Sequence, residues 1–253
     1  MTTRFDDELA VVTGASGGFG KVIVASLAAR GLTVIAIGRR LEELEMVAHD
    51  IANVRPCAAD IGLDSSIATI AAALDGPVRA IVHAPGLPFA GGVLDAAPGA
   101  LAEAVNIKAG GFLRLARAAD ARLAGGARLI GIGGHYGLEP TAYATSASVG
   151  NAALIALSRQ LSLAYGPRRV TSHVIAPGPA DTERLRKVAA PRAEKAGRTV
   201  DDVLADMQAE SSLGAFTTPE QVAWAVTMLL DPEADAMTGS TLMLDSGRRR
   251  GLP

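Results

Sequence analysis

The sequence predicts an α/β fold: one doubly wound parallel sheet of about seven strands, flanked by helices, with residues 1–253 forming a single domain. Three observations carry this expectation. Short apolar runs alternate with amphipathic segments along the chain, the rhythm of parallel strands joined by crossover helices. The first apolar run passes straight into a glycine-rich turn that opens a helical pattern. The composition, 49% hydrophobic and 20% charged over 253 residues, fills one large core and shows no repeat, linker or domain break.

Taken in order, Leu9–Val12 reads as a strand and Gly18–Arg30 as a helix stopped by Gly31. Thr33–Ile37 is a β-branched run, Leu41–Ala52 is helical, and Arg55–Ala59 is a third strand. A helix over Ser65–Leu74 leads to a strand at Val78–His83, and one long helix is expected over Leu101–Leu123. Arg128–Ile132 is a strand, Ala147–Tyr165 a helix and Val170–Ile175 a strand. The charged, interrupted stretch Arg184–Glu210 suggests short helices over a loop, so residues 182–214 are expected to form a mobile lid. Pro219 opens a helix to Leu230, and Thr241–Leu244 is the last strand.

A net charge of -2 and a pI of about 6.1 give no electrostatic footprint for nucleic acid or anionic lipid. The clusters Arg168-Arg169 and Arg248-Arg249-Arg250 read as solvated surface. No run of about 18 apolar residues exists, and the polar stretch Met1–Asp7 has no apolar signal region, so a cytoplasmic protein is expected. The single Cys57 excludes an intramolecular disulfide and reads as a small core residue. No group of His, Cys or carboxylates has metal-ligand spacing, and no metal is expected. His83 and His173 fall on strands as structural residues, and His49 on an exposed helix face.

The turn Val11-Val12-Thr13-Gly14-Ala15-Ser16-Gly17-Gly18-Phe19-Gly20 carries the chemistry. Gly14 permits a tight turn, Gly18 lets backbone approach a pyrophosphate, and Gly20 allows close helix–strand packing. The helix start offers free N–H groups and a positive dipole end, which points to a Rossmann-type dinucleotide site. The second strand ends at Ile37-Gly38-Arg39-Arg40, where an acidic residue would accept from an adenosine ribose hydroxyl. Arginines there suit a 2′-phosphate, so NADP(H) is expected over NAD(H).

Further motifs make the chain resemble the classical short-chain dehydrogenase/reductase family over nearly its whole length. Thr13-Gly14-Ala15-Ser16-Gly17-Gly18-Phe19-Gly20 resembles the family's TGxxxGxG motif, and Asp60-Ile61 its acidic-apolar pair beside adenine. Val105-Asn106 resembles the family's helix asparagine. Ala176-Pro177-Gly178-Pro179 with Thr182 resembles the PG motif beside the nicotinamide, and residues 237–247 resemble the last strand. The resemblance implies a cofactor cradle of Gly14, Ser16, Gly18, Phe19, Gly20, Arg39, Asp60, Ile61, Ala84, Gly86, Asn151, Pro177, Gly178 and Thr182. It also implies a small-molecule carbonyl or alcohol substrate, and a homotetramer or homodimer built on the helices around Leu101–Leu123 and Ala147–Tyr165.

The departures from that family are specific. Its NNAG strand end reads His83-Ala84-Pro85-Gly86 here, and Gly134 stands in the place of its catalytic serine. Counting back from Ala176-Pro177-Gly178 puts Ala147 at the tyrosine and Asn151 at the lysine of its Tyr-xxx-Lys motif, and that motif occurs nowhere in the chain. In the family the tyrosine exchanges a proton with the substrate oxygen, the lysine lowers its pKa and holds the ribose, and the serine hydrogen-bonds the oxygen. Of the four catalytic positions Asn106 alone keeps its residue. His135, Tyr136 and Tyr143 are the candidate stand-ins for the proton donor, or else pocket-lining residues of a site without redox chemistry. Three functions remain open: an oxidoreductase with a rearranged site, a cofactor-binding sensor or pseudoenzyme, and a non-redox enzyme on the same scaffold.

Overall fold

In the computed structural model, which describes residues 4–87 and 91–251, strand β1 (Leu9–Thr13) is buried along its whole length. Its side chains alternate: Ala10 and Val12 join one core layer, Leu9 and Val11 the other. The chain continues through α1 (Gly18–Ala29), β2 (Thr33–Gly38), α2 (Leu41–His49), β3 (Val54–Ala58), α3 (Ser66–Ala72) and β4 (Val78–His83). Then come α4 (Pro98–Val105), α5 (Gly111–Ala119), β5 (Leu123–Ile132) and α6 (Thr145–Tyr165). The last elements are β6 (Thr171–Pro177), α7 (Glu183–Ala196), α8 (Val200–Ala209), α9 (Pro219–Met228) and β7 (Thr241–Leu244).

The seven strands pair in the order β3-β2-β1-β4-β5-β6-β7, every pair parallel. The order reverses between β1 and β4, and the carboxyl ends of those strands open a crevice there. One face is covered by Ile23, Val24 and Leu27 of α1 with Val222 and Val226 of α9. The other carries Phe112 and Leu115 of α5 with Leu154 and Leu161 of α6. Each such fully buried side chain contributes about 1.5–3 kcal/mol by leaving water.

Helix boundaries differ from the sequence reading where local chemistry intervenes. The expected Leu101–Leu123 helix forms as one unbroken helical run over residues 98–122 whose pitch changes along its length. Pro98 starts α4 early, a π-turn at Asn106–Gly110 widens the helix before α5, and a short 3-10 turn at Asp120–Arg122 ends it. Leu123 already belongs to β5, opposite Val78. The segment after β6 is two packed helices, α7 and α8, with their own small core of Ala189, Ala193, Val203, Leu204 and Met207. A bridge between Ala180 and Thr217 closes that segment at its base.

Two composition readings also change. Arg248 is buried rather than solvated: its guanidinium donates to the Met207 carbonyl at 2.8 Å and pairs with Glu210, tying the end of the chain to α8. Cys57 is half-buried, because β3 is an edge strand. Of the polar N-terminal stretch, Met1–Thr3 lies outside the described residues. Among the described residues, no helix is long and apolar enough to cross a membrane.

Candidate active site

The crevice at the β1/β4 switch point is a cleft of about 730 Å³. Its wall runs from Arg39 and Arg40 after β2, past the glycine turn, to Ala147 and Asn151 on α6 and Thr182 before α7.

At the first end the wall is backbone. Gly14 has φ +70°, and a methyl added there would lie 2.6 Å from the Ala84 carbonyl oxygen. A methyl on Gly20 would lie 2.1 Å from the Gly14 oxygen, so α1 can start this close to β1 only without a side chain. Ser16, Gly18 and Phe19 line the cleft beside the N-terminus of α1, with Ala84 and Gly86 opposite. Asp60 and Ile61 stand on the same wall, and the Asp60 carboxylate accepts from the Gly62 N–H at 2.9 Å. Arg40 pairs with Glu43, whose carboxyl is held low by Arg40 and then by Ser16. Arg39 lines the cleft and makes no ion pair among the described residues. This donor-rich cradle with the Arg39 guanidinium at its rim fits a phosphorylated dinucleotide.

At the second end, Gly133, Ala147, Asn151 and Thr182 form the wall. A methyl at Gly134 would lie 2.9 Å from Asn151 Nδ2, so the asparagine amide crowds the place a serine side chain would take. Asn151 Oδ1 is buried without a hydrogen-bond partner among the described residues. Pro177 and Gly178 close β6 just behind, where the Gly178 N–H donates to the Leu244 carbonyl at 3.0 Å.

The candidate proton donors fall differently. Asn106 sits in the π-turn, and its amide donates to the Gly62 carbonyl (3.1 Å) and to Glu103 (3.0 Å); the next two residues, Ile107 and Lys108, reach the cleft wall and Asn106 does not. His135, Tyr136 and Tyr143 form a separate cluster outside that wall. The rings of His135 and Tyr136 lie 3.8 Å apart, and the Tyr136 and Tyr143 hydroxyls are 3.0 Å apart. Burial, then the nearby Arg248, pulls His135 down to about 4, so it is neutral at pH 7. Burial and the Tyr143 hydroxyl push the Tyr136 phenol well above its usual value. Tyr143 is exposed, with the Arg192 guanidinium 4.2 Å from its ring centre.

Lys108 and Arg184 escaped the sequence reading, while His83 is the structural strand residue it expected. Lys108 is buried, and its Nζ donates to the Ile132 carbonyl at 2.9 Å. Burial, then Arg184, lowers its pKa to about 7. Arg184, at the start of α7, leans over Gly86, where a methyl would lie 2.7 Å from Nη1. His83 is a connector. Its Nε2 donates to the Ile107 carbonyl (2.9 Å), which fixes the tautomer, and its Nδ1 accepts from the Thr13 hydroxyl (2.9 Å). Burial holds it neutral, at about 3. A signal for Lys108 did exist: it falls on the stripe Ala104, Lys108, Phe112, Leu115, Ala119, every other member of which is apolar and buried.

The sequence and the fold have counterparts among known proteins. A family model described as Enoyl-(Acyl carrier protein) reductase matches residues 14–249. The short-chain reductase protein NovJ of Streptomyces niveus is 28% identical, over 96% of this chain and 94% of its own. The 3-oxoacyl-[acyl-carrier-protein] reductase FabG of Salmonella typhimurium is 25% identical, over 96% of this chain and 98% of its own. L-sorbose reductase from Gluconobacter frateurii, solved with NADPH and L-sorbose, superposes with a TM-score of 0.89 at 22% identity, covering 100% of both chains.

Proposed function

The chain belongs to the classical short-chain dehydrogenase/reductase family of oxidoreductases, and on that premise we propose that it binds NADP(H) and interconverts a small carbonyl and its alcohol with a non-standard active site. The observation that carries the reading is the intact cradle: a glycine turn with no room for a side chain at Gly14 or Gly20, opening a cleft with Arg39, which makes no ion pair among the described residues, at one end and the Asn151 amide at the other.

In this reading the N-terminus of α1 and the turn from Gly14 to Gly20 hold the pyrophosphate. Arg39 takes the 2′-phosphate, Asp60 and Ile61 flank adenine, and Ala84 and Gly86 face the cofactor from β4. Asn151, Pro177, Gly178 and Thr182 hold the nicotinamide half, where the orphaned Asn151 Oδ1 gains a ribose hydroxyl as partner. When bound, the reduced nicotinamide supplies a hydride to a carbonyl carbon. The α7–α8 pair, pinned at its base, covers the substrate and excludes water. The expected assembly is a homotetramer or homodimer through α5 and α6, and α6 exposes Val149 and Leu163 as such a contact requires. Light scattering that finds a monomer at about micromolar concentration would overturn the assembly.

The test is NADPH oxidation over aldehydes, ketones and 3-oxoacyl thioesters. Turnover of at least one class is expected. A second reading, a cofactor-binding protein without redox turnover, is favoured by Gly134 and Ala147, which have no proton to give. Tight NADPH binding with no oxidation of any carbonyl establishes that second reading, and absence of NADPH binding overturns both. The family's usual setting and the absence of a long apolar helix among the described residues favour a cytoplasmic location.

A further inference from the structure

The chain has four lysines, and Lys21, Lys187 and Lys195 are exposed. Lys108 is 7% exposed, on a helical stripe where every neighbour is apolar. Its three N–H donors find one acceptor, the Ile132 carbonyl at the end of β5, and no carboxylate pairs with it among the described residues. A leucine or methionine would pack this position at less cost, because a buried ammonium with one neutral partner loses much of its hydration. The placement is nonetheless built. A methyl on Gly150 of α6 would lie 3.2 Å from the Ala104 carbonyl oxygen and 3.4 Å from Lys108 Cγ, so α6 packs closely on the turn of helix that carries the lysine stem. His83 clamps the carbonyl of the preceding residue, Ile107. Lys108 lines the same cleft as Gly133, Ala147 and Asn151, and its Nζ is held at the Ile132 carbonyl, one residue before Gly133.

We propose that Lys108 is the proton donor and acceptor of the reaction, its Nζ serving where Ala147 and Gly134 carry no acid. This rests on the redox reading above. In the reducing direction the C=O π bond breaks, the carbon takes a hydride from the reduced nicotinamide, and the oxygen takes a proton from the Nζ ammonium. The products are the alcohol, the oxidised nicotinamide and a neutral lysine that recovers its proton from water in the cleft. In the oxidising direction the neutral amine takes the hydroxyl proton. The charged and titratable groups that bear on Nζ are Arg184 from α7 and His83 from β4; α6 presents Ala147, Gly150 and Asn151, which carry no charge. A value near 7 leaves both protonation states populated at neutral pH, as a general acid–base requires. Of the residues that could carry this proton, His135, Tyr136 and Tyr143 lie outside the cleft wall.

Two measurements on the full chain test this together. Competitive acetylation with acetic anhydride across pH, resolved by mass spectrometry, gives the titration midpoint of each lysine with and without NADPH. The expected result is a midpoint near 7 for Lys108 alone and protection of Lys108 on addition of NADPH. Turnover with the best carbonyl of the panel is then compared in Lys108→Met and Lys108→Arg. A loss of about 100-fold or more in kcat is expected for Lys108→Met, with NADPH affinity within about threefold of wild type as proof of folding. Lys108→Arg, which keeps charge but holds its proton, is expected to lose the reducing rate as well. A Lys108 midpoint equal to that of Lys21, or wild-type turnover in Lys108→Met, overturns the proposal while leaving the redox function standing. A wild type that binds NADPH and reduces nothing overturns the redox function and the proton role with it.

Discussion

The two ends of the cleft are built differently: at one the glycine turn brings backbone against backbone, with Arg39 and Asp60 beside it, and at the other Gly133, Ala147 and Asn151 form the wall. The glycine turn retains every residue its geometry needs, since a single methyl at Gly14 or Gly20 runs into backbone. The other end carries Gly134, Ala147 and Asn151, of which Asn151 alone has a polar side chain. A cradle for phosphates depends on the path of the chain and the absence of Cβ atoms, so no distant residue can replace it. A proton can be delivered from any element whose side chain reaches the same point, and Lys108 approaches that end from the π-turn beyond α4 rather than from α6.

Adding a side chain at each end tests the contrast most strongly. In Gly18→Val the new atoms enter the cleft beside Thr182, where the nearest existing atom is 3.2 Å from the first of them. NADPH affinity is expected to fall at least about 100-fold by calorimetry, or about 2.7 kcal/mol. In Gly134→Ser the first new atom lies 2.9 Å from Asn151 Nδ2, and affinity is expected to fall by about tenfold, less than in Gly18→Val, through displacement of that amide. Equal losses at both positions would break the comparison.

The buried amine gives the next largest effect. Lys108 titrates at about 7 in the folded chain and at 10.5 when unfolded, so between these values the unfolded state holds a proton that the folded state lacks. Stability therefore rises with pH across that window, at about 1.4 kcal/mol per pH unit from this group. Denaturant unfolding between pH 7 and pH 9 should show the rise, and Lys108→Met should remove that part of it. An unchanged slope in the variant would show that Lys108 is not the buried base of this end.

The glycine turn and the doubly wound parallel sheet were readable in the sequence, because each depends on local residue types at fixed spacing. The glycines of residues 14–20 follow a strand directly. What was not readable arises from packing between distant elements. The π-turn within the expected Leu101–Leu123 helix has its Ile107 carbonyl held by His83, 24 residues away. Arg248 looked like one of three surface arginines and is buried against Met207, 41 residues away. His135 and Tyr136 lie next to Gly134 in sequence, yet the turn after β5 carries their side chains into a cluster with Tyr143.

That cluster supplies the smallest expected effect. Tyr136→Phe removes one hydroxyl pair and is expected to lower stability by about 0.5–1.5 kcal/mol with turnover changed less than about threefold. His135→Ala is expected to act through packing, with a lower Tm and little change in kcat, because a neutral imidazole outside the cleft wall has no proton to deliver. A large kcat loss in either variant would move the proton donor to this cluster and away from Lys108.

The central claim, that the backbone end still holds a phosphorylated dinucleotide, is tested most directly by calorimetric titration of the wild type and Arg39→Ala with NADPH and NADH. The account predicts tighter binding of NADPH than NADH. It also predicts a loss of about tenfold for NADPH in Arg39→Ala, with NADH unchanged. Tighter NADH binding, or an Arg39→Ala variant that binds NADPH as the wild type does, would contradict it.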